Sequence, residues 1–63
     1  MSEMSLAAAR IDAQLTQLEA SKRLKISKNT LVSYEKYRTI PDIETAKAIA
    51  ELYGRSVNEI RWS

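Results

Sequence analysis

Apolar side chains recur three and four positions apart through most of this 63-residue chain, and the strict alternation of a half-buried strand never persists. The period is helical, and it predicts five short helices, over 6–13, 17–24, 28–36, 43–53 and 57–61. The first follows Ser5, whose hydroxyl can cap, and sets Leu6, Ala9, Arg10 and Ala13 on one side. Thr16 and Glu19 stand in capping-box relation ahead of the second, which carries Ala20 and Leu24 inward. Ser27 caps the third, so Lys28, Asn29 and Thr30 form its exposed first turn, with Leu31, Tyr34 and Glu35 on the inner side. Pro41 disfavours helical geometry at Ile40, and Asp42 caps the fourth helix, whose stripe is Ile43, Ala46, Ile49, Ala50 and Tyr53 before a left-handed stop at Gly54. Ser56 and Glu59 repeat the capping-box spacing ahead of the last, which supplies Val57 and Ile60.

Helices shorter than about 12 residues are marginal in water, so these must form together around one core. The expected core is Leu6, Leu15, Leu24, Ile26, Leu31, Ile43, Ile49, Val57 and Ile60. About three residues separate the second helix from the third, and so tight a connection holds them at a steep angle, as in a helix-turn-helix unit. The expectation is a compact all-α domain of five helices spanning 1–63. A chain this short buries only about 60% of its unfolded surface, so stability should be modest.

Composition narrows the chemistry. Cysteine and histidine are both absent, which removes disulfides, thiolate metal sites, the commonest zinc ligand and the usual general base near neutral pH. No glycine-rich phosphate loop or paired-carboxylate motif stands out, so no catalytic residue, metal or cofactor is assigned, no enzyme is expected, and no small-molecule ligand is evident. No run approaches the 18 or so apolar residues of a membrane span, and Glu3 lies where a signal peptide would carry positive charge. The expectation is a cytoplasmic protein with no membrane partner.

Charge is unevenly spread. Between Lys22 and Arg38 stand Lys22, Arg23, Lys25, Lys28, Lys36 and Arg38 against Glu35 alone, a local +5, while the remainder holds four basic and seven acidic residues, or −3. The net +2 therefore conceals a dipolar surface that draws a polyanion to one side. Lysines also decorate solvated helices merely for solubility, but such surfaces usually mix in glutamate, and the single acid of the third helix lies on its inner side.

Arg10, "LTQ" at Leu15 to Gln17, the pattern "L.IS...L..YE" across Leu24 to Glu35, Pro41, and "A.LYG.SVNEI" from Ala50 to Ile60 keep an order and spacing that resemble the Cro/cI-type helix-turn-helix family of bacterial and phage repressors. The resemblance runs from about Leu6 to Trp62. It implies a five-helix DNA-binding domain that usually acts as a homodimer on a nearly palindromic double-stranded operator; a repressor is expected, though the resemblance does not decide repression against activation. By position, it implies base reading by Lys28, Asn29, Val32 and Ser33. It implies phosphate contacts from Gln17 and Thr30 and from the following connection, Lys36, Arg38 and Thr39, and an ion pair between Arg10 and Glu35. General physics agrees with these roles. A helix start attracts phosphate at Gln17, asparagine can pair bidentately with adenine, lysine suits guanine acceptors, and a valine side chain can touch a thymine methyl.

Relatives usually place glycine where this chain has Gln14, Lys25 and Tyr37, so these turns are either mildly strained or differently shaped. Tyr37 can lengthen the third helix by a residue and bring its phenol to phosphate, or pack against the fourth. Ala20 and Ser21 replace a large aliphatic and an alanine, and Leu18 replaces a polar residue, so Leu18 either repairs the core or lies exposed. Trp62 either joins Ile60 in a dimer interface or closes the monomer core. The alternative function is a protein-interaction or antitoxin-like module on the same fold, with Leu18, Tyr37 and Trp62 as its surface.

Overall fold

The structure, a computed structural model, describes residues 3–63; residues 1 and 2 of the expected 1–63 domain lie outside the described residues. Among the described residues there are four α-helices, α1 Leu6–Asp12, α2 Gln17–Leu24, α3 Lys28–Glu35 and α4 Ile43–Tyr53, followed by a 3-10 turn, Val57–Glu59. The helix starts follow local chemistry. Ser5, Thr16, Ser27 and Asp42 each accept at the side chain from the backbone N–H three residues on, and Glu19 completes the capping box by accepting from Thr16 N–H at 2.8 Å.

The expected fifth helix over 57–61 is instead that single 3-10 turn. Glu59 accepts from Ser56 N–H at 2.8 Å, but Ile60 then turns extended and pairs with Met4 in a parallel bridge. Met4 N–H donates to the Glu59 carbonyl at 2.9 Å and Arg61 N–H to the Met4 carbonyl at 2.8 Å, so pairing with the N-terminal segment replaces further helical bonds. Among the described residues the architecture is all-α with this one short bridge.

The core gathers Leu6, Ala9, Ala20, Leu31, Ile49, Ala50, Tyr53 and Ile60, with Leu15, Leu24, Ile26, Val57 and Trp62 packed against it while partly buried. Ile43, expected inside, is 62% exposed. It opens the first turn of α4, one residue after the cap, and the buried stripe of the helix begins only at Ala46. Ala20 and Ser21 are the buried positions of α2; Leu18 is half exposed and does not repair the volume at Ala20. Ser21 is buried and donates its hydroxyl to the Leu18 carbonyl at 2.9 Å, which satisfies it.

The turns settle the question of the missing glycines. Gln14, Lys25 and Tyr37 have φ of 63°, 61° and 58°, so all three occupy the left-handed region that glycine would enter freely. The turn geometry is kept and the chain carries the strain. Tyr37 therefore does not extend α3; it lies beyond the helix, whose cap is Lys36. Gly54, at φ 71°, has no atom near its missing Cβ, so its requirement is conformational rather than steric.

Candidate nucleic-acid interface

α2 packs most extensively on α3, across a connection consisting of the left-handed Lys25, then Ile26 and the cap Ser27. Leu31 is buried and Tyr34 packs against the core, which fixes the rotation of α3. At 3.6 residues per turn, positions 28, 29, 32, 33 and 36 then share the opposite side. Lys28, Asn29 and Lys36 are exposed there, and Val32 and Ser33 are half-buried between them. Thr30 stands at the margin, its N–H donating to Ser27 Oγ at 3.0 Å and its hydroxyl 2.8 Å from the same oxygen.

Behind this row lies a polar network that joins three helices. Arg10 Nε donates to Glu35 Oε2 at 2.7 Å, a terminal Arg10 nitrogen lies 3.5 Å from Oε1, and the other donates to the Leu15 carbonyl at 2.9 Å. The two side chains are only 12% and 6% exposed. Gln17 Nε2 donates to the same Glu35 Oε1 at 2.9 Å. Gln17 is thus half-buried with its amide turned toward the ion pair, while the first-turn N–H groups of α2 lack intrahelical acceptors by geometry. A shallow concavity lined by Arg10, Ile11, Gln14, Leu15, Thr16 and Gln17 opens beside that helix start.

Burial pushes the nearby Tyr53 phenol up to about 12, the Glu35 charge adding to the rise and Arg10 opposing it. The Tyr53 hydroxyl is buried without a hydrogen-bond partner. It remains protonated across the physiological range and brings no charge to the site.

After α3 the chain presents Lys36, Arg38 and Thr39, all exposed. Tyr37 between them is half-buried. Its hydroxyl accepts from Leu6 N–H at 3.4 Å, at the start of α1, and its ring lies beneath Arg61. The phenol therefore packs toward α1 rather than α4. Trp62 is also half-buried and donates Nε1–H to the Val57 carbonyl at 3.0 Å, and Ile60 is buried, so both close the monomer core. Of the three side chains of the alternative protein-binding surface, only Leu18 is exposed.

The ring contact of Arg61 and the Glu35 bond of Gln17 escaped sequence reasoning, since each joins residues far apart in the chain. Among the described residues, no group of three His, Cys, Asp or Glu side chains is placed to hold a metal ion, and no helix is long and apolar enough to cross a membrane.

A helix-turn-helix family matches residues 6–60. The cryptic phage CTXphi transcriptional repressor RstR of Vibrio cholerae is 33% identical over 51 residues, which make up 81% of this chain and 46% of that relative. The chain thus spans about half the length of the curated relative it matches. No solved structure matches.

Proposed function

Because the chain belongs to the helix-turn-helix family, in keeping with the Cro/cI type, we propose that it is a transcriptional regulator that binds a double-stranded DNA operator by laying α3 in the major groove. The observation that carries this reading is the outward row of α3: Lys28, Asn29, Val32 and Ser33 on one side of a helix whose other side is fixed in the core. The major groove admits one helix and shows a distinct donor and acceptor pattern for each base pair. Asn29 pairs with adenine, Lys28 with guanine acceptors, Val32 touches a thymine methyl, and Ser33 reaches the neighbouring base edge.

Gln17, Thr30, Lys36, Tyr37, Arg38 and Thr39 position the duplex through its phosphates without choosing its sequence. At Gln17 the α2 start supplies N–H groups, and the bond to Glu35 holds the side chain beside them. Two copies related by a twofold axis read half-sites about one helical turn apart, roughly 34–36 Å. Repression is the output that the likeness to RstR supports, and an operator places the protein in the cytoplasm. Family and fold are those of a non-catalytic domain.

Selection of bound duplexes from a random pool tests this. A consensus should emerge, and repeating the selection with Asn29→Ala should erase preference at one position per half-site, each good bidentate pair being worth about 1–3 kcal/mol of discrimination. Uniformly weaker binding would instead place Asn29 on the backbone, and a pool without enrichment would defeat the proposal.

A further inference from the structure

The fold carries Arg61 from the C-terminal segment to the connection after α3, where its guanidinium carbon lies 5.0 Å from the centroid of the Tyr37 ring. Both ends of this contact are held. Arg61 N–H donates to the Met4 carbonyl at 2.8 Å, Ile60 before it is buried, and Trp62 after it is tied to the Val57 carbonyl. Tyr37 is fixed by its own N–H to the Tyr34 carbonyl at 3.0 Å and by its hydroxyl at Leu6 N–H. The arginine side chain thus leaves an anchored backbone and lies across an anchored ring.

No Asp or Glu side chain pairs with it among the described residues. Arg61 Nε donates to the main-chain oxygen of Ser63 at 2.9 Å, and the two side-chain ion pairs among the described residues, Arg10 with Glu35 and Arg55 with Asp12, do not include it. Lys36 and Arg38 flank Tyr37 in the chain, are exposed, and likewise join neither pair. One cation thus lies over the Tyr37 ring and the residues on either side of Tyr37 in the chain are exposed cations, an arrangement that favours an anionic partner. A guanidinium lying against an aromatic ring keeps hydrogen-bond donors for a second partner and has already lost most of its rotamer freedom, so little ordering remains to be done when it meets a phosphate.

We propose that Arg61, held against Tyr37, grips a backbone phosphate beside Lys36 and Arg38 and extends the DNA-facing surface onto the C-terminal segment. The proposal rests on the duplex-binding reading above and adds a phosphate contact to it from a part of the chain remote from the helix-turn-helix.

Arg61→Gln is the test, read as affinity for a pool-selected duplex and for an unrelated duplex over a series of salt concentrations. The slope of log affinity against log salt should become shallower by about one per protein copy. Both duplexes should weaken alike, the thermal midpoint should hold, and Arg61→Lys should restore most of the slope. Arg61→Met keeps an apolar cover on the ring while removing the charge, and it carries the test if the glutamine variant does not fold. A folded, uncharged variant with the wild-type slope would overturn the proposal. If the wild-type domain itself ignores both duplexes at low salt, the failure belongs to the DNA-binding reading, and the role of Arg61 falls with it.

Discussion

Replacing Glu35 by alanine removes the centre of the network that ties α1, α2 and α3 together. Three contacts go with it: the 2.7 Å and 3.5 Å approaches of Arg10 and the 2.9 Å bond from Gln17. Arg10, 12% exposed, keeps only its bond to the Leu15 carbonyl. Stranding one member of a buried ion pair typically costs about 3–5 kcal/mol, and the residual solvent access here favours the lower end, about 3 kcal/mol. A domain of this length holds roughly 3–9 kcal/mol in total, at about 0.05–0.15 kcal/mol per residue. The loss is therefore a large share of the whole, and at about 4–8 °C per kcal/mol the unfolding midpoint should fall by about 12–24 °C.

Far-UV circular dichroism on heating measures this directly. Glu35→Gln, which retains shape and one acceptor, should lose less. The double change Arg10→Met with Glu35→Leu should recover much of the deficit, because an apolar pair of similar volume strands no charge. An alanine variant that melts within about 4 °C of wild type, equivalent to no more than about 1 kcal/mol, would refute the reasoning.

Three further outcomes follow from named contacts. Lys25→Gly relieves left-handed strain at φ 61° and should raise the midpoint by about 2–8 °C, a gain of about 0.5–1 kcal/mol, whereas a lowered midpoint would show that the turn carries no strain. Tyr53→Phe deletes a buried hydroxyl that has no partner and should leave stability unchanged or higher; a loss above about 1 kcal/mol in urea unfolding would reveal a bond the hydroxyl makes. Bonds from the Thr45 hydroxyl and then its N–H hold Asp42 below its usual 3.8, and Thr16, through its N–H and then its hydroxyl, holds Glu19 below its usual 4.5. Folded values below unfolded ones mean that this stability is complete above the usual values and is lost as pH falls through the lowered ones, so Asp42→Asn, which still caps, should flatten the acid limb of a midpoint-against-pH curve.

The helix starts were legible because their rules are local. Ser5, Thr16 with Glu19, Ser27 and Asp42 each need only a backbone N–H three residues on, and the structure supplies it. The three strained turns were legible only through the family likeness, since nothing in the intrinsic preferences of glutamine, lysine or tyrosine calls for positive φ. Period alone misplaced Ile43, because a stripe reaches only as far as there are neighbours to cover it, and the buried part of α4 begins a turn later at Ala46. The last turn was overextended for a related reason: the Met4 bridge that draws Ile60 into extended geometry depends on a partner from the other end of the chain.

At the candidate interface the outward row of α3 followed from its inner residues, Leu31 and Tyr34, once the helix was recognised. The Glu35 bond of Gln17 and the Tyr37 contact of Arg61 did not, since each exists only after tertiary packing.

Titration of the folded domain into duplex DNA, from low to high salt, puts the central claim to the most direct test. Tight association at low salt should weaken linearly in log–log form as salt rises, and Lys28→Ala with Asn29→Ala should abolish preference for the selected sequence while leaving the midpoint of unfolding in place. A well-folded domain that fails to associate at low salt, or whose affinity is indifferent to salt, would contradict the account.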